Sequence, residues 1–100
     1  MENIVKLTRG ISIIGNIKGT SDINQIKEAI SGYTLKSGDS FTIEIKDSFA
    51  MPSAMIGYLM KIVEQDQIAL KLQIGDTRLS ELLADLGLTQ AFNIKTKSFA

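Results

Sequence analysis

Short β-branched or alternating runs take turns along this chain with stretches whose apolar residues recur at helical spacing, and few folds accept that rhythm. Ile11-Ser12-Ile13-Ile14-Gly15-Asn16-Ile17 is β-branched and reads as a strand. Asn3 to Thr8 alternates weakly before it, and the short Arg9-Gly10 break between the two runs predicts an antiparallel hairpin. Ser21 or Asp22 is placed to cap a helix, and Ile23, Ile26 and Ile30 follow on one helical face, with Gly32 as its stop. After a polar loop from Tyr33 to Ser40, Phe41 to Lys46 alternates strictly. Asp47 to Met51 turns the chain, and Pro52 suits the first position of a second helix whose apolar face is Met55, Ile56, Leu59, Ile62 and Val63. Ile68 to Ile74 alternates again. Gly75-Asp76-Thr77 then leads into a third helix with Leu79, Leu82, Leu83 and Leu86 as its core stripe, closed by Gly87. Ala91 to Lys95 is expected to form a last short strand.

The order is ββαβαβαβ. Strands separated by helices run parallel, so the expected fold class is α/β, a mixed sheet in one domain spanning residues 1–100. Thr42, Glu44 and Lys46 on one inner strand, and Lys71 and Gln73 on the next, make their second face polar. A strand covered on both faces would be apolar throughout, so the helices are expected mainly on one side.

Composition removes several functions. The chain has no cysteine and no histidine, which eliminates disulfides, thiolate chemistry, the usual zinc ligands and the commonest general base. Eleven basic residues balance eleven acidic ones without a basic run, so no nucleic-acid partner is expected. Met1 to Gly10 lacks the apolar core of a signal peptide, and no apolar run approaches the ~18–20 residues of a membrane span. A cytoplasmic location without direct membrane insertion is the expectation. No phosphate-cradling glycine loop, nucleophile elbow or metal-ligand spacing occurs, and no cofactor is expected. Glu44 falls on the open face and Asp76 at a helix start, neither with a carboxylate partner at helical spacing, so the chain is read as a non-enzyme.

Four stretches together resemble the STAS domain (sulfate transporter and anti-sigma factor antagonist). Gly10 to Ile17 looks like the second strand with its glycine, and Ile43-Glu44-Ile45 is similar to the apolar–acidic–apolar central strand. Ser53-Ala54-Met55-Ile56-Gly57-Tyr58-Leu59 resembles the serine-initiated helix with an internal glycine. Thr77-Arg78-Leu79 through Leu82, Gly87-Leu88 and Phe92 resembles the closing helix, its stop and the following strand. The resemblance covers residues 3–95. It implies a bacterial regulatory domain that docks a protein partner and acts by competition. The partner would be an anti-sigma-type serine kinase or another signalling protein. The alternative implied by the same family is a cytosolic subunit of an ABC-type lipid transporter, bracing its ATPase.

Family members that act as switches carry Asp-Ser-Ser/Thr-Gly at the start of the second helix, and the first serine of that run is phosphorylated. Counted without a gap from Ile43, Ser53 falls on the phosphorylated position and Pro52 replaces the aspartate. Counted back from Gly57, Ser53 becomes the second serine and Pro52 takes the phosphorylated place. Ser53 is therefore the candidate phosphorylation site, because a helix start favours a phosphate. With the acidic residue missing in either register, its preferred role is to satisfy backbone donors at the helix start. Asp47 and Ser48 are read as turn residues. The candidate partner-binding surface is Phe49, Met51, Pro52, Ser53, Met55 and Tyr58, an apolar loop and helix start. Gly57, costly inside a helix, is expected to mark a close packing contact.

Overall fold

The computed structural model describes residues 1–99. Two strands open the chain, β1 (Asn3–Leu7) and β2 (Gly10–Ile14), followed by helix α1 (Thr20–Ser31). Then come β3 (Ser40–Ile45), α2 (Ser53–Glu64), β4 (Ala69–Ile74), α3 (Thr77–Asp85) and β5 (Lys95–Thr96). This is the expected ββαβαβαβ order. The sheet runs β1-β2-β3-β4-β5, antiparallel between the first two strands and parallel thereafter.

Each helix connects neighbouring parallel strands, and each new strand lies one place further along the sheet. Crossovers of this kind are almost always right-handed, so three in the same direction put all three helices on one face. Burial agrees. Ile11, Ile13, Phe41, Ile43, Ile45, Leu70, Leu72 and Ile74 point to the helices and are 0–1 % exposed. They meet Ile23, Ile26 and Ile30 of α1, Met55, Leu59 and Ile62 of α2, and Leu79 and Leu83 of α3. The alternate positions Thr42, Glu44, Lys71 and Gln73 stand on the uncovered face.

The hairpin is locked from beneath. Leu7 pairs with Gly10 across a two-residue turn, and the Tyr33 hydroxyl lies 2.7 Å from the Gly10 carbonyl oxygen and 2.5 Å from that of Leu7. The Tyr33 ring meets Phe41 edge to face with centroids 5.0 Å apart, a favoured geometry for aromatic pairs. A Cβ at Gly10 would run into the Thr42 carbonyl oxygen, so this position admits only glycine.

Four local expectations are corrected. Helix α1 begins at Thr20 after Gly19 with no side-chain cap. Asp22 instead reaches back, accepting the Lys18 backbone N–H at 2.9 Å, which holds its carboxyl below the usual carboxylate range. Of the strand expected over Ala91 to Lys95, only Lys95 is in one. The chain there makes successive turns (Phe92 N–H to the Leu88 carbonyl, Ile94 N–H to that of Thr89), and Asn93 adopts a left-handed φ of 47°. Phe92 is thereby driven into the core, and β5 starts only at Lys95. The stripe on α3 is half core, because Leu79 and Leu83 are buried whereas Leu82 and Leu86 are exposed. Gly57 packs against nothing, for a Cβ there would find no atom within 4 Å.

Candidate functional site

Loops at the carboxyl ends of the parallel strands β2, β3 and β4 gather at one end of the sheet. A web of side-chain bonds ties them together. Asp47 accepts the Gly15 N–H at 2.6 Å. Ser48, fully buried, accepts the Ile17 N–H at 3.1 Å and donates to the Ala50 carbonyl at 2.7 Å. Asn16 in turn accepts the Phe49 N–H at 3.1 Å. Asp47 and Ser48 are thus turn residues, as expected, and they also clamp the β3–α2 loop onto the β2–α1 loop.

The clamp presents Phe49 outward. Its ring is 47 % exposed and lies under the Arg78 guanidinium, 4.9 Å from the ring centroid. Arg78 is fixed in that pose by Asp76, which accepts its Nε at 3.0 Å and its Nη2 at 2.7 Å. Asp76 also caps α3 by accepting the Arg78 backbone N–H at 2.8 Å. The arginine side-chain bonds and then the backbone bond hold the Asp76 carboxyl below the usual carboxylate range, and the guanidinium is raised in return. From Arg78, Leu82 and Leu86 follow at helical i, i+4, i+8 spacing along α3. Phe49, Leu82 and Leu86 are three of the five large hydrophobic side chains exposed among the described residues.

The remaining candidate residues divide between surface and interior. Pro52 is half-buried and serves as the N-cap of α2 with φ −62°, one position before the helix proper. Ser53 is the first helical residue and is exposed. No side-chain bond caps that helix, so Ser53 does not have the donor-satisfying role expected of it. Tyr58 is half-buried with the Lys27 ammonium 5.1 Å from its ring centroid; burial first and the Asp66 charge second push its hydroxyl pKa up. Met51 and Met55 are corrections. They are 6 % and 0 % exposed and belong to the core, so they offer no surface to a partner. The helical spacing that put Met55 on the apolar face of α2 was the sounder guide to its place.

Two features escaped the sequence reading. Leu82 and Leu86 share the i, i+4 spacing of a core stripe, and periodicity alone does not tell the buried edge of such a stripe from its exposed edge. The other is the charge on the uncovered sheet face. Strand register sets Glu44 beside Gln73 and Gln73 beside Lys95, with Lys71 two residues before Gln73 and Lys97 two after Lys95. Lys46, two residues after Glu44, falls on that same face and lies 5.8 Å from the centroid of the Phe99 ring. Four of the eleven basic residues therefore share one face with a single acidic one. Their separation in sequence hid them. Among the described residues no helix is long and apolar enough to cross a membrane. No family model, curated protein or solved structure matches this chain.

Proposed function

We propose that this domain is a non-catalytic, cytoplasmic protein-docking module whose contact surface runs from Phe49 along α3 through Leu82 and Leu86 and over the start of α2 at Ser53. The observation that carries the reading is the exposed apolar strip itself. Three large side chains, one pinned in place by the Asp76–Arg78 pair, stand in water on one flank of a domain with a complete core of its own. Exposed apolar surface of that kind, rimmed by polar groups, is characteristic of protein interfaces, where aromatic and arginine side chains dominate the affinity.

The two carboxylates that frame Phe49 are structural. Asp47 is occupied by a loop amide and Asp76 by a helix cap and a guanidinium, so both are consumed in holding the surface. The resemblance to the STAS family extends the proposal to the kind of partner, an anti-sigma-type serine kinase or another signalling protein held by competition. Ser53 sits exposed on the rim of the surface, where a phosphate would add charge to an apolar contact and oppose docking.

The test is affinity capture from the protein's own cells with the wild-type domain, Phe49→Ala and Leu86→Lys side by side. Both substitutions fall on exposed side chains and leave the core intact. A protein retained by the wild type and lost with both variants is the expected result. Equal capture by all three would show that the partner docks elsewhere and would overturn the reading.

A further inference from the structure

We propose that the uncovered face of the sheet carries an anion site, on the side opposite to the docking strip, that takes a phosphate monoester group between Lys71 and Lys95. A cavity of about 330 Å³ opens there, lined by Lys71, Gln73, Asn93 and Lys95. Its lining contains two ammonium groups, two amides and no carboxylate. Among the described residues, the only ion pairs are Met1 with Asp22 and Asp76 with Arg78, so neither lysine of the cavity is paired with a described carboxylate.

Both amides bring donors to the lining. Lys97 Nζ lies 3.4 Å from Gln73 Oε1 and donates to it, while the Gln73 NH₂ group has no protein acceptor among the described residues. Asn93 spends one N–H on the Leu70 carbonyl at 3.0 Å, which anchors the residue at its left-handed turn and keeps a second N–H in reserve. The donors thus come from two adjacent chain segments, β4 and the stretch that leads into β5. Lysine acts as a point charge, not as the planar fork with which arginine grips a carboxylate, and a tetrahedral oxyanion with three peripheral oxygens suits several single donors. None of the four lining residues is aromatic or aliphatic, which excludes a stacked nucleobase or a buried hydrocarbon as the recognised part. What the site would read is the phosphate alone.

The experiment is a two-dimensional amide NMR titration of the full chain with glycerol phosphate, and with acetate at matched ionic strength. It is run on the wild type and on Lys71→Gln and Lys95→Gln, both exposed strand positions whose spectra report that the fold persists. Saturable shifts confined to Lys71, Gln73, Asn93, Lys95 and their neighbours, absent with acetate, are expected, with each variant weakening binding at least about tenfold. A second arm measures co-sedimentation with phosphatidylcholine vesicles with and without phosphatidic acid. Saturation by glycerol phosphate assigns the group to a soluble metabolite; retention on phosphatidic acid alone, lost in both variants, assigns it to a lipid headgroup. Equal response to acetate, shifts centred elsewhere, or variants that respond like the wild type would each overturn the site.

Discussion

Gly57 and Met55 stand two residues apart on one helix and demand opposite things of a substitution. Gly57 faces open space in the middle of α2, where glycine costs on the order of 1 kcal/mol against alanine. Gly57→Ala should therefore stabilise the domain by about 0.5–1 kcal/mol, read as a higher urea midpoint with an unchanged slope. A destabilised variant would mean that α2 is not packed as described. Met55 is fully buried among isoleucines and leucines. Met55→Lys would bury an unpaired ammonium and should cost several kcal/mol, about 3–5, enough to unfold a domain of this size. Circular dichroism of the purified variant checks it, and a native-like melt would remove Met55 from the core. At the loop edge the same reasoning separates two serines only five residues apart: Ser48 is buried and saturated with bonds, whereas Ser53 is exposed and uncapped.

Helices and strands were largely legible because their apolar periods are strong, and the failures have local causes. The hairpin, three helices and the inner strands follow from alternation and from the i, i+3, i+4, i+7 rule. Ala91 to Lys95 failed because an apolar residue in a short run is equally well explained by a plug. Phe92 fills the core from a turn, and Asn93 tolerates the left-handed φ that ends any strand there. The docking edge was legible in part. Phe49 came from the apolar character of its loop and Ser53 from the resemblance, but Leu82 and Leu86 required knowing which side of α3 the sheet occupies. Asp76 was read correctly as lying at the start of a helix, and the cap it makes there bears on acid stability. Asp76 is held below its usual range by Arg78, so its contribution is present above the ordinary carboxylate range and is lost as the pH falls through the depressed value. Asp76→Asn keeps the cap and discards the charge. Its urea midpoint should accordingly fall less than that of the wild type between neutral and acidic pH. An identical pH dependence in the two proteins would show that the pair carries no linkage.

A formal net charge of zero conceals a division of the molecule into two electrical sides. The uncovered sheet face holds Lys46, Lys71, Lys95 and Lys97 against Glu44, so the remainder is net acidic by the same amount. The balance of the sequence counts did argue against a nucleic-acid binder, but it could not reveal how the charges are sorted in space. The division predicts that the domain is retained on a cation exchanger at neutral pH although its net charge is nil. Lys71→Gln combined with Lys95→Gln should abolish retention, whereas Lys18→Gln with Lys36→Gln, of identical net charge, should leave it. Elution governed by net charge alone would refute the division.

The sheet is also laid down in one direction, from β1 at one edge to β5 at the other, with no strand inserted between two earlier ones. Every βα unit that leaves the ribosome therefore meets a finished edge onto which it can zip, and none must wait for a later segment to complete its neighbour. Each parallel pairing still spans a whole crossover, as Ile11 with Ile43 and Ile43 with Leu72 show, so every added strand closes a loop of that length before its contacts form. A chain arrested after α2 would hold the hairpin, α1 and β3, whereas α2 would still lack β4, the strand it packs against.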